Sequence, residues 1–197
     1  MFTLLPCAAG CGLPALTGAP TCASHAANLE AETLRITALI EESLAVRDLN
    51  AQGLRFEGID FSRREFLGCN FRDVVFSECI FGETAVHLCF FDFASFERCS
   101  FVKGNYHFIS AAGALMNGCA FSNSDIVRVN FGGAELRRCT FDSSDLYDSR
   151  FIGTRLQSCV FNDCNLTRTH FGGSIQEDVT FKASNTAEAL FELAQWE

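Results

Sequence analysis

FSRREFLGCNFRDVVFSECIF, residues 61–81, carries phenylalanine at every fifth position, and the beat continues beyond both ends. From Phe56 to Phe171 it makes 24 positions, of which 15 are Phe. The others are Val86, Tyr106, Ala111, Met116, Ile126, Leu136, Leu146, Leu156 and Leu166, all of them apolar apart from the Tyr106 hydroxyl. A period of five fits neither the alternation of a strand nor the turn of about 3.6 residues of a helix, so the stretch is an internal repeat.

Two residues before each central position the chain carries a residue that is almost always small, such as Cys69, Val74, Cys79, Thr84, Ala94 and Ser124. Units such as Cys69-Asn-Phe71-Arg-Asp, Ala134-Glu-Leu136-Arg-Arg and Cys164-Asn-Leu166-Thr-Arg resemble the A-(D/N)-(L/F)-x-x unit of pentapeptide-repeat proteins. The resemblance implies an all-β solenoid: a right-handed quadrilateral β-helix with one unit per side and four per coil. The 24 units then make about six coils. Residues twenty apart stack at roughly the 4.8 Å spacing of paired strands, and the central side chains fill the interior. The successive replacements Tyr106, Ala111 and Met116 lower the aromatic volume in one coil, which points to a narrowing, a kink or a bound group unless the variation is simply tolerated.

Ahead of the repeats, Cys7, Cys11, Cys22 and His25 are spaced C-x3-C-x10-C-x2-H with Gly and Pro between them. Three thiolates and an imidazole suit a closed tetrahedral zinc site, which lets a short segment fold without a core of its own. Asn28, followed by Glu30 and Glu32, suits a helix start, and Leu29, Ile36, Leu39, Ile40 and Leu44 give that helix an apolar face to cover the first coil. Leu49 and Leu54 keep the five-residue spacing out of phase with Phe56, so the coil is expected to start within 47–56. At the other end, Asn185 and Glu188 resemble a capping box. The expected divisions are a zinc knuckle over 1–26, a capping helix over 27–48, the β-helix over 49–183 and a C-terminal capping helix over 184–197, the last a candidate homodimer contact.

Steps of twenty turn the rows into columns. Eight of the 11 Cys occupy the small inward position, and the other three belong to the knuckle. Cys79, Cys99, Cys119, Cys139 and Cys159 form one column. Inert packing explains it, since buried Cys behaves as a small apolar residue. The alternative is copper(I) binding, because thiolates select that ion, although uncompensated buried thiolates are costly. Outside, Leu67, His87, His107, Val127 and Tyr147 form a column with Leu88 and Phe108 beside it, an apolar stripe that reads as a partner surface. His87 and His107 stand one coil apart; two solvated imidazoles are the first reading and a shared metal the second.

The formal charge is −9, with 16 acidic against 12 basic residues over 55–178 and no basic segment, which argues against direct nucleic-acid binding. No run of about 18 apolar residues occurs, so no membrane span is expected. The start of the chain lacks the basic region of a leader, and a cytoplasmic, thiol-reducing location follows as the expectation. No nucleophile with a base, phosphate loop or open metal site is recognisable, and the protein is read as a non-enzyme. The expected function is a protein-interaction scaffold with a structural zinc. The resemblance also implies DNA mimicry toward a type II topoisomerase, as in some family members. The mixed charge and the unbroken phase, which leaves no room for the loop insertions of many quinolone-resistance members, depart from that group.

Overall fold

The structure, a computed structural model, describes residues 4–192. From Val46 to Phe171 the central residue of each five-residue unit is buried, as are most of the residues two before it, and the other three face outward or lie along the wall. The chain turns each corner two residues after the central one, through left-handed backbone. Among the described residues every non-glycine residue with positive φ sits at that position, with φ between 51° and 61°. Four such corners close a coil, and the coils stack into a β-solenoid of about seven turns.

Pairing between coils is parallel and twenty residues apart throughout. One face forms a five-stranded sheet from Ala45–Arg47 to Asp125–Val127. The opposite face forms a seven-stranded sheet from Arg55–Glu57 to Ile175–Glu177. The two faces between them are joined by single bridges such as Asn70↔Phe90 and Ile80↔Ser100.

Four columns of central side chains fill the interior. The first runs from Val46 and the second from Ala51; the third starts at Phe56. The fourth is Phe without interruption from Phe61 to Phe181. Its rings stack at 4.9, 4.9, 4.5, 4.8, 4.6 and 5.3 Å between centroids. From Phe81 to Phe161 they lie within 5° of parallel. Edge-to-face contacts tie neighbouring columns, as between Phe141 and Phe151 at 5.8 Å and 88°.

The repeat starts earlier than expected. Val46 pairs with Phe66 and is buried, Ala51 is fully buried, and both lie in phase with Phe56. The coil therefore begins inside the segment read as helix, because its first two central residues are aliphatic rather than aromatic. Leu49 and Leu54 are the small-position residues of these units. Helix α1 is Leu29–Glu41, with the Asn28 side chain capping the Ala31 amide. It closes the first coil with Ile36 and Ile40, both fully buried, while Leu29, Leu39 and Leu44 remain exposed. Arg64, the one large charged residue at the small position, donates to the Ile40 carbonyl at the end of α1.

The C-terminal helix is absent from 184–192, and 193–197 lie outside the described residues. Only a 3-10 turn forms, Thr186–Glu188. The two capping-box side chains are used by the previous coil instead: Asn185 Oδ1 accepts from the Leu166 amide, and Glu188 accepts from the Thr167 hydroxyl. Leu190 bridges His170 and Phe191 stacks on Phe171 at 5.2 Å, so the solenoid continues where a helix was expected.

The uninterrupted column makes a direct prediction. Phe121→Ala should destabilise the protein by about 3–5 kcal/mol in urea unfolding. Phe181→Ala, at a partly exposed ring in the last turns, should have a much smaller effect.

Candidate functional site

The knuckle is built by a short hairpin. Pro6 and Pro14 bridge antiparallel, and the Cys7 amide donates to the Leu13 carbonyl at 3.0 Å. Gly10 and Gly12 take φ of 70° and 81°, which brings Cys11 back toward Cys7. A second turn returns the chain to Cys22, and the 3-10 turn Ala23–His25 swings the imidazole over it.

The four sequence-assigned ligands converge, with all ligand atoms within 4.8 Å of one another. Cys11 Sγ lies 3.7 Å from Cys22 Sγ, and His25 Nδ1 lies 3.3 Å from Cys22 Sγ and 3.8 Å from Cys7 Sγ. A tetrahedral zinc with its usual bond lengths requires edges of about 3.7–3.8 Å between sulfurs and about 3.5–3.6 Å between sulfur and nitrogen. A disulfide would need sulfurs at about 2.05 Å, and all the cysteines are free. The residues fit zinc. The Cys22 amide donates to Cys7 Sγ at 3.3 Å and is the main cause lowering that thiol to about 7. Cys22 moves the other way, raised by its burial and then by the neighbouring thiols. Three thiolates this close would repel one another, and a cation bound among them would let all three ionise.

The knuckle is bonded to the rest of the fold. Asn50, buried in the first coil, donates its side-chain amide to the Ala15 carbonyl at 2.6 Å and its backbone amide to Thr17 Oγ1 at 2.7 Å. Arg35 of α1 donates to the Thr17 carbonyl at 2.6 Å. Knuckle, helix and first coil therefore share Thr17.

The five-cysteine column is fully assembled and buried. Each sulfur faces the carbonyl of a central residue in the preceding coil: Cys79 that of Phe56 at 3.5 Å, Cys99 that of Phe76 at 3.5 Å and Cys119 that of Phe96 at 3.7 Å. Cys139 and Cys159 face Met116 and Leu136 at 3.6 and 3.4 Å. Serine makes the same bond at the same position, as Ser124 to Phe101 at 2.8 Å and Ser149 to Ile126 at 2.6 Å. These side chains also cap the small-position amide of the coil before, as Ser124 does for Gly104 and Cys89 for Cys69. Cys119 is raised by the sulfurs of Cys139 and Cys99 and then by burial, whereas sulfur neighbours lower Cys99 and Cys139. A thiolate cannot donate, and each sulfur faces a carbonyl, so protonated thiols satisfy the column.

The outer stripe lies in register, Leu67 beside His87, His87 beside His107 and His107 beside Val127. The two imidazoles pack edge to face at 5.3 Å. His107 Nε2 is buried without a hydrogen-bond partner, and burial first, then the charge of His87, lowers its pKa. Leu88 and Phe108 stand about half exposed on left-handed corners. Tyr147 is half-buried under Arg168, and Arg128 covers one side of Phe108 at 5.4 Å. The structure adds Phe93, which the sequence reading passed over: it is 68% exposed at the next corner, beside Gly113. The signal was present, because a bulky apolar residue two after the central position is always placed on exposed left-handed backbone.

Thiol accessibility separates the two kinds of cysteine. With chelator present, the native protein should expose the thiols of Cys7, Cys11 and Cys22 to a disulfide reagent, while the eight coil thiols react only on unfolding.

Residues 114–191 match the family model described as pentapeptide repeat region. No curated protein matches the chain. Among solved structures, full-length QnrB1, a plasmid-mediated fluoroquinolone resistance protein, is similar at 18% identity, covering 72% of this chain and 83% of that one, TM-score 0.37. HetL, a pentapeptide repeat protein involved in heterocyst differentiation regulation in Nostoc sp. strain PCC 7120, is similar at 12% identity over 82% and 96%, TM-score 0.35. Rfr23 from Cyanothece 51142 is similar at 8% over 81% and 99%, TM-score 0.35. The region similar to the pentapeptide-repeat family model, residues 114–191, continues in the same unbroken twenty-residue register back to Val46.

Proposed function

We propose that this protein is a non-enzymatic interaction scaffold whose N-terminal end is held closed by a structural zinc. The observation that carries the interaction reading is the placement of Leu88, Phe93 and Phe108. All three are large, apolar and at least half exposed, on backbone with φ of 54° to 59°. Left-handed backbone disfavours a side chain by roughly 1–2 kcal/mol, and although the coil needs the corner conformation, it does not need an exposed apolar side chain there. An apolar protein surface laid across these corners supplies the missing reason. The stripe Leu67, His87, His107, Val127 and Tyr147 runs alongside and extends the contact.

The ion pairs speak against presenting a row of phosphate-like charge to a topoisomerase. Acidic residues alternate with arginine up the outer columns, as in Arg72–Asp92 at 2.9 Å, Arg98–Glu78 at 2.6 Å and Arg128–Asp148 at 3.1 Å. Among the described residues no helix is long and apolar enough to cross a membrane.

The zinc reading expects one zinc per chain by elemental analysis of protein purified under reducing conditions, with no stoichiometric copper. Cys11→Ser should lower metal content and the melting temperature together, and several coppers per chain would reverse the assignment of the cysteine column.

The surface reading separates binding from folding. Leu88→Asn should leave stability unchanged or raise it by up to about 1 kcal/mol, since Asn tolerates this backbone. A photo-crosslinker at position 93 should give a discrete adduct in cells that Leu88→Lys with Phe108→Lys abolishes without changing the melting curve. Loss of more than about 2 kcal/mol in Leu88→Asn would instead assign the corner residues to the fold.

A further inference from the structure

The core is not filled everywhere. In the second column Phe71 stacks on Phe91 at 5.1 Å and Phe131 on Phe151 at 4.8 Å, but only the methyl group of Ala111 stands between Phe91 and Phe131. Beside it the third column changes from Phe96 to Met116, and the first carries Val86 below Tyr106. A cavity of about 30 Å³ results, with Phe91, Tyr106, Ala111, Met116, Ile126 and Phe131 in its wall.

Two observations mark it as a space with a chemical character. Phe91, Phe101 and Tyr106 keep 5–6% of their surface and Met116 and Phe121 keep 4%, although all point inward, whereas Phe141, Phe151 and Phe161 keep none. The retained surface is cavity wall. The wall is also entirely apolar. The hydroxyl of the wall residue Tyr106 is already committed to the Phe81 carbonyl at 2.7 Å. Gly104 makes that bond feasible, because a Cβ there would collide with the hydroxyl. Water needs about 10–15 Å³ and two to four polar partners, and here the room exists without the partners.

We propose that this cavity is a binding site for one small apolar molecule, of the size of xenon or dioxygen. Such a ligand makes dispersion contacts with the aromatic and methyl groups of the wall and gives up no hydrogen bond on entering. The cavity wall includes no residue of the zinc knuckle and none of the exposed corner side chains.

Xenon is the probe. Dissolved xenon titrated into the full-length protein should give saturable shifts of the Ala111, Met116, Ile126 and Val129 methyl resonances and leave Leu156 and Leu166 in place. Ala111→Leu fills the void and should abolish the shifts while raising the melting midpoint by roughly 2–4 °C. Should that variant fold poorly, Ala111→Val, a smaller filling, should weaken xenon binding at least tenfold. No saturable shift in the natural protein, shifts that survive both substitutions, or a water molecule detected against the Ala111 methyl and undisplaced by xenon would overturn the site.

Discussion

One pitch is shared by the backbone and the side chains. Parallel strands repeat every 4.7–4.9 Å or so, and the rings of the fourth column stack at 4.5–4.9 Å from Phe61 to Phe161. Because the two distances coincide, a ring can lie on its copy without bending the sheet, and a hydrogen bond can close without tilting the ring. The twenty-residue coil keeps both in step: a coil that did not hold a whole number of five-residue units would take each Phe off its neighbour. The outer ion pairs and the buried donors inherit the same step, which is why so many hydrogen bonds join residues 20 or 23 apart.

The position two before the centre solves the accounting that a solenoid corner creates. The central residue of the preceding coil leaves a carbonyl facing inward, and the small-position amide of that coil needs an acceptor. A side chain that both donates and accepts meets both needs, so Ser124 and Ser149 sit where Cys79, Cys99 and Cys119 sit. Valine and alanine fill the same place with volume alone, as Val74 and Ala94 show. Thiols in this role are structural donors that oxidation or metal capture would take away from the carbonyl.

The sequence made the coil legible because its largest residue recurs at the period of the fold. It hid the start of the coil because Val46 and Ala51 do the work of Phe with less volume. It misled at the other end because Asn185 and Glu188 have the spacing of a helix cap, while the coil below offers their side chains better partners in Leu166 and Thr167. The knuckle was legible for the opposite reason: its four ligands lie within 19 residues, so chain geometry brings them together without the rest of the fold. Phe93 was missed because it lies on the next corner, away from the His87–His107 column, although it shares the position of Leu88 and Phe108 in its repeat unit.

A repeat in which nearly every buried polar group already has a partner leaves little inside with which to do chemistry. The proposed function and cavity lie where the repeat rule is broken, and three such features stand out among the described residues. The knuckle adds ligands that the coil does not use. Leu88, Phe93 and Phe108 put apolar bulk on corners that favour small or polar residues. Ala111 withholds a ring from a column that otherwise carries Phe from Phe71 to Phe171. The unbroken fourth column, Phe61 to Phe181, runs through the coils that carry the last two, and its continuity allows the other columns and corners to depart from the pattern without losing the register that holds the coils together.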